Sequence, residues 1–492
     1  MAKPLSCRLH RRLHNTLIVA TLGVMNAFAP AHAARMTHAA ATADGVAPLP
    51  LNQHGLRRFP YPFQAMLAVA SDCDGMTPRK FTLIHRFLNT HSSTVLGPGL
   101  GLDIADSLFF FVGTDRLGWC DYDFTAWQDQ MSWFHRLADG RPHHADLLLR
   151  YIRAGWIDSL HSYGDFSMQD ETATRYARRF ALAASNALHS AGVSPTVWIN
   201  HGNRSNVGNF GNPESTYQQG DVPNSPYYCA DVAIAAGIRF VWTRRDSQFG
   251  LASMLYPITL RDGQKIWGFY RYTDDGYTDK GQLRWNWNPR MLSAQLSDAH
   301  LSELERRHEF SIVAQHLGGD IAPIPFYGAN LDALTRLKRE QDAGRLIVAR
   351  TSRLLRYNEV TQYLRFRRVT RGKMLYITIG RVQDPILGAF WPTLDDLRGV
   401  TFYTARAGHT VLLLRGVRIP SAMVQTSPPD DTGAPSIGIK WWPADTTDYT
   451  RGVEAPSTRS RHPSEGRGAT RPAPAGRRPH GQKLSTWFED RT

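Results

Sequence analysis

Only four cysteines occur in 492 residues. They stand at Cys7, Cys73, Cys120 and Cys229, with no framework spacing, and this excludes a disulfide-stapled scaffold. Cleavage after Ala33 would leave an odd number of them, so nothing in the set requires an oxidising compartment. Long apolar runs are scarce as well. The stretch Leu17 to Ala29 is too short to cross a bilayer comfortably, and no transmembrane span is expected. No internal repeat is present. Also missing is a basic stripe interleaved with aromatics, although the net charge is +14. Residues 1–35 carry five Lys/Arg and no acid, and residues 451–492 carry nine against four acids, which leaves only +4 for everything between. The body is nearly balanced, and nucleic acid is excluded as the expected partner.

What is present describes a globular protein. Hydrophobic residues make up 42% of the chain and tryptophans number 13, enough to bury a large core. Lys3, Arg8, Arg11 and Arg12, the apolar stretch, and Ala31-His32-Ala33 follow the plan of a secretory signal over residues 1–33. Export to the periplasm or medium is expected, with a cytoplasmic protein as the alternative if translation starts at Met36. A linker is expected over 34–58. From Phe59 to about Asn358 strand and helix patterns alternate. Helices are predicted over Pro78–Asn89, Ala145–Ala154, Glu171–Ser190, Cys229–Ala236 and Leu331–Asp342. Strands are predicted over Ala65–Ala70, Trp156–Leu160, Thr196–Asn200, Ile238–Trp242, Phe310–Ala314 and Leu346–Ala349. The alternation predicts an α/β fold, a parallel sheet or barrel wrapped by helices. Short β-type runs over 359–450 predict a small β-rich accessory domain. The basic tail, 451–492, has little to bury and is expected to be disordered.

In such folds ligands sit at the C-terminal ends of the strands. Asp72, Asp74, His161, His201 and His316 all fall there. Carboxylates two apart on an extended chain point the same way, and Gly75 after them permits a tight turn. Asp165 follows His161 closely. His201, Asn203 and Arg204 lie in a Gly/Asn-rich loop suited to binding hydroxyls or carboxylates. Each has a duller alternative: Asp72 and Asp74 as caps of the next helix, Asp165 in an Asx turn, the histidines as structural groups. Cys73 reads as a small buried residue with no partnered histidine to make it a nucleophile.

With these motifs in order, the chain resembles the polysaccharide deacetylases, the family that includes the chitooligosaccharide deacetylases of nodulation, over roughly Phe59 to Tyr357. Asp74-Gly75 matches the metal-binding end of the family's first motif, and His161-Ser162 the start of its His-(Ser/Thr)-x-x-His motif. Ile312-Val313-Ala314-Gln315-His316 is similar to its late strand. The chain departs where Cys73 replaces the usual base, moving the acid to Asp72, and where Asp165 replaces the second metal-binding histidine. His201-Gly202-Asn203-Arg204 occupies about the place of an arginine and tyrosine motif. In this the chain is closer to divergent deacetylase-like proteins found with bacterial O-antigen and exopolysaccharide genes.

The resemblance implies a distorted (β/α) barrel of the glycoside hydrolase/deacetylase type with fewer than eight strands. It implies a divalent metal, zinc first and manganese, cobalt or nickel after it, on Asp74, His161 and Asp165. Asp72 would be the base and His316 the acid that protonates the leaving amine. The expected substrate is a bacterial surface polysaccharide or an oligosaccharide from it. Two alternatives stay open: a non-catalytic polysaccharide-binding protein on the same fold, and a metal-free glycosidase.

Overall fold

A computed structural model describes residues 55–112, 130–138, 140–168, 173–202, 204–243, 248–273, 287–320, 322 and 324–452. The secretory-type segment, most of the linker, Asn203, the tail from 453, and parts of the aromatic insertions 113–141 and 267–287 lie outside them.

The seven residues Ala65–Ser71 (β1) are buried throughout. Such a run needs sheet partners on both edges and apolar cover on both faces. On one edge β1 pairs in parallel with Phe310–Gln315 (β8) over Met66 to Ser71. On the other it pairs first with Leu346–Val348 (β9) and then, at Ala70 and Ser71, with Ala105–Leu108 (β2). The sheet continues through Ile157–His161 (β3), Val197–Ile199 (β4), Phe240–Trp242 (β5) and Lys265–Phe269 (β7), all parallel. Leu255–Thr259 (β6) adds antiparallel to β7 at the edge. Beyond β7 the chain meets β8: Tyr272 N donates to the Ile312 carbonyl at 2.7 Å, and Ala314 N to the Tyr272 carbonyl at 2.8 Å. The protein is thus a mixed α/β fold around a largely parallel sheet.

The helices begin and end where their sequences dictate. Pro78–Asn89 (α1) is capped by Thr77, whose side chain accepts from Lys80 N, with proline in the first turn. Asp72 and Asp74 therefore have no capping duty there. Ala145–Ala154 (α2) and Arg178–Ala191 (α3) stop at Gly155 and Gly192, both left-handed. The helix predicted from Glu171 starts seven residues later, at Arg178. Ala230–Ala235 (α4), Asp298–Arg307 (α5), Ala329–Asp342 (α6) and Thr351–Tyr363 (α7) complete the set used below. No helix among the described residues is long and apolar enough to cross a membrane.

The C-terminal segment is rich in β structure. Leu364–Arg371 and Met374–Asp384 form a hairpin, extended by Thr410–Leu414 in parallel. A second sheet joins Thr401–Tyr403, Ser436–Ile439 and Val424–Ser427. Leu56 and Arg57, expected in the linker, form a strand of that sheet against Thr401–Phe402. Arg57 locks it, donating to Asp430 Oδ2 at 2.9 Å and to the Phe59 carbonyl at 2.8 Å. Ile377, Ile379, Val382, Phe402 and Ile437 belong to the same buried cluster as Met66, Ala68, Ile312 and Ile347 of the main sheet. Replacing fully buried Ile377 by alanine is therefore expected to lower the unfolding free energy of the whole protein by about 3 kcal/mol. Chemical denaturation should show one shifted transition and no early loss of a separate part.

Candidate metal centre

β1, β3, β4 and β8 end on one side of the sheet, and each delivers polar side chains there. Asp72 and Asp74 follow β1, His161 closes β3, His201 follows β4 and His316 follows β8. The ends of β1 and β8 are sewn together: Asp72 N donates to the Gln315 carbonyl at 2.7 Å and Leu317 N to Ser71 Oγ at 3.0 Å. Buried Lys80 reaches up from α1 and donates to the carbonyls of Gly75 (3.1 Å) and Gly318 (2.7 Å), holding both site loops. Opposite them, His201 N donates to Ser162 Oγ at 3.0 Å, and Ser162 N to the Ile199 carbonyl at 2.8 Å. Gly164 lies so close to the next strand segment that a Cβ would fall 2.1 Å from the Phe111 carbonyl oxygen. Phe109 stacks on the His161 ring at 5.1 Å and meets His201 edge-on at 5.2 Å, fixing both imidazoles.

Two overlapping groups result, Asp74–His161–His201 and Asp72–Asp74–His316, each with one ligand atom per residue within 4.8 Å of the others. His161 Nδ1 faces the Ile199 carbonyl at 3.2 Å. A carbonyl only accepts, so Nδ1 carries a proton and Nε2 is the atom turned toward the site. That Nε2 lies 3.0 Å from Asp74 Oδ2 and 2.9 Å from His201 Nδ1. His201 Nε2 in turn faces Asp165 Oδ1 at 3.2 Å, which places a proton there and turns Nδ1 toward His161. Asp74 Oδ2 is buried and, among the described residues, makes no hydrogen bond. His161 Nε2, His201 Nδ1 and the Asp74 carboxylate are thus the atoms that would hold a cation. Such a donor set of nitrogen and oxygen could hold a metal ion.

The sequence-predicted residues are redistributed in one respect. Asp165, expected as a ligand, accepts from Ser167 N at 2.8 Å and faces the far side of the His201 ring. His201, expected to bind substrate, stands instead in the candidate group with Asp74 and His161. The exchange has a local cause: left-handed Ser162 and the turn at Gly164 carry Asp165 away from the Asp74 side, while β4 delivers His201 directly beside β3. Arg204 is exposed, and Asn203 is outside the described residues. Cys73 is buried, its thiol pushed up by burial and by the neighbouring Asp74 carboxylate, so it is no nucleophile.

The second group is organised by Arg271, which sequence reading passed over. Arg271 follows β7, is fully buried, donates to Asp72 Oδ2 at 3.0 Å, and stacks over the Trp242 ring at 4.5 Å. His316 Nε2 lies 3.3 Å from the same oxygen, its ring parallel to Trp287 at 5.3 Å. Asp72 Oδ1 makes no hydrogen bond among the described residues. Burial alone would push the Asp72 carboxyl up, but Arg271, His161 and His316 outweigh it and hold it well below the usual carboxylate range. Burial likewise works against Asp74, and His201, His316 and His161 more than reverse it. For His316, burial lowers the pKa, while Asp74 and Asp72 together raise it above its ordinary value.

No family model matches this chain, and no curated protein matches it. Function has to be read from the site itself.

Replacing Arg271 by methionine leaves Asp72 buried without its strongest partner, and is expected to destabilise the protein by about 3 kcal/mol at neutral pH. Because the Asp72 pKa is depressed in the fold, its contribution is complete above the ordinary 3.8 and is lost as pH falls below it. In the variant that depression is weakened, so acid unfolding, followed by circular dichroism, should begin at a higher pH.

Proposed function

We propose that this chain is a metal-dependent hydrolase that removes acetyl groups from a bacterial surface polysaccharide or exopolysaccharide, on a distorted (β/α) barrel. The observation that carries the reading is the meeting of the Asp74, His161 and His201 ligand atoms directly beside the Asp72–His316 pair. The link from Tyr272 to β8 supports closure of the parallel sheet into a barrel. The sugar substrate rests on the resemblance of Asp74-Gly75, His161-Ser162 and the strand ending at His316 to the deacetylase motifs.

In this mechanism Asp74, His161 and His201 would hold the ion, with Asp165 orienting the His201 ring. A bound divalent ion would acidify an attacking water and polarise the acetyl carbonyl. Asp72, kept ionised by Arg271, takes the proton from the water through Oδ1. His316, kept as imidazolium by the two carboxylates, gives a proton to the departing amine or alcohol as the bond to the acetyl carbon breaks. Phe109 lies against the His161 and His201 rings and Trp287 against that of His316. A metal-free glycosidase would need a carboxyl raised toward neutrality as its acid. Both Asp72 and Asp74 are held in the opposite direction, which removes support from that reading.

Metal analysis of the purified chain should find about one transition-metal ion per molecule, the occupancy of a single site with three protein ligands. His161→Ala and His201→Ala should lose it, whereas Asp165→Asn should keep it with an affinity roughly 10–100-fold weaker. Unchanged content in His161→Ala would sink the proposal, and metal with glycan bound but no acetate released would mark a binding protein.

The pH profile tests the acid. Since the His316 pKa is raised, its proton is present below the ordinary 6.5 and is lost only as pH climbs through a higher value. Acetate release should therefore fall on the alkaline side, with a midpoint above that figure. His316→Gln should abolish that limb and lower kcat roughly 10²–10⁴-fold.

A further inference from the structure

At the opposite end of the sheet, where β3, β4 and β5 begin, lies a cavity of about 490 Å³. It is bounded by the start of α7 and by the C-terminal segment that carries Trp441 and Trp442. Its volume falls within the range of small-molecule sites. We infer that this cavity is a second binding site, built for an anionic saccharide of one or two rings, a sugar carrying a carboxylate or a phosphate.

Three arginines frame it with unused capacity. Arg350 has no hydrogen bond or ion pair from its guanidinium among the described residues, its backbone N alone approaching Asp103 at 3.4 Å. The guanidinium lies over Gly155, where a Cβ would come within 1.1 Å of Nη1, so the left-handed glycine that ends α2 also clears the space for it. Arg353 is aimed by Asp103 through Nη1 at 2.7 Å, and its buried Nε has no acceptor among the described residues. Arg239 is aimed by Glu359 at 2.9 Å, and its Nε is in the same condition. Rigid, part-satisfied guanidinium groups around one space recognise carboxylate or phosphate.

A simple inorganic anion does not satisfy the rest of the lining. Asp158 is only 8% exposed and faces the same cavity. Its Oδ2 accepts from Ser352 N at 2.7 Å, and Oδ1 has no partner among the described residues. A buried acceptor beside arginines repels a bare anion and calls for a donor on the ligand, such as a hydroxyl. Trp441, set edge-on to Tyr357 at 5.7 Å, also lines the cavity and adds an apolar surface. A sugar ring offers hydroxyl donors and an apolar CH face together, and its acidic group supplies the charge. This site contains none of the residues assigned to the metal centre and works independently of it.

Isothermal titration of the full chain with glucuronate, glucose 6-phosphate, glucose and inorganic phosphate tests the inference. Saturable binding is expected for at least one acidic sugar, weakened roughly tenfold or more by Arg350→Met or by Asp158→Asn, as loss of a charged hydrogen bond implies. A response to glucuronate identifies the carboxylate form, and one to glucose 6-phosphate the phosphate form. Glucose should give no comparable binding. Binding of neither acidic sugar, inorganic phosphate as tight as glucose 6-phosphate, or affinity unchanged in Arg350→Met would each overturn the assignment. Thermal melting of both variants checks that they fold. Metal content, measured on the same samples, separates failure here from failure of the metal centre.

Discussion

The parallel pairing of β1 with β8 is the constraint on which the rest of the structure depends. Six consecutive register pairs, Met66 with Phe310 through Ser71 with Gln315, bring two strands from opposite parts of the chain into one buried layer. Both strands end in polar residues at the same level, so Asp72, Asp74 and His316 meet because the register leaves them no other place. The adjacent pairings of β3 and β4 do the same for His161 and His201. Asp72 and Asp74 are almost wholly withdrawn from water, which makes every charge around them count. Arg271 opposes that burial on one side, and the histidines on the other.

Much of this was legible in the sequence because it depends on local pattern. The apolar runs at Ala65, Thr196 and Phe310, each followed by a polar residue, reveal strands that deliver side chains to one end of a sheet. α1 and α2 begin and end as read, because Pro78 and Gly155 punctuate them. β2 was not legible: Ala-Asp-Ser-Leu has no β-type composition and becomes a strand through its neighbours β1 and β3. Arg271 was missed for a related reason. An arginine in an aromatic, polar segment carries no local sign that it will be fully buried against a carboxylate nearly two hundred residues away. The exchange of roles between Asp165 and His201 lies in the turn at Ser162 to Gly164, which no spacing rule encodes. The signal for His201 was its position at a strand end, the same one that pointed to His161.

The protein uses the two ends of its sheet in different ways. At the C-terminal ends, acids and imidazoles converge in an arrangement that could hold a cation. At the N-terminal ends, arginines lean on acids that orient them without consuming all their donors, an arrangement suited to anions. The C-terminal β-rich segment closes the second end while sharing the apolar cluster beneath β1 and β8. Its packing therefore supports the strand whose far end carries Asp72.

Leu317 and Ser71 are joined by a hydrogen bond across 246 residues of sequence, and Lys80 reaches Gly318 across 238. Contacts so distant form late, because the loop between them must close before they repay its entropy. During synthesis the first strand waits, with its two aspartates, until some two-thirds of the chain has emerged. Until then it lacks the partner that buries it, and the acids stay hydrated and far from His316. The nascent chain thus presents Asp74, His161 and His201 before the Asp72–His316 pair can form. Completion of the centre by His316 becomes a late event in folding, and the chain must be shielded from aggregation for as long as β1 lacks β8.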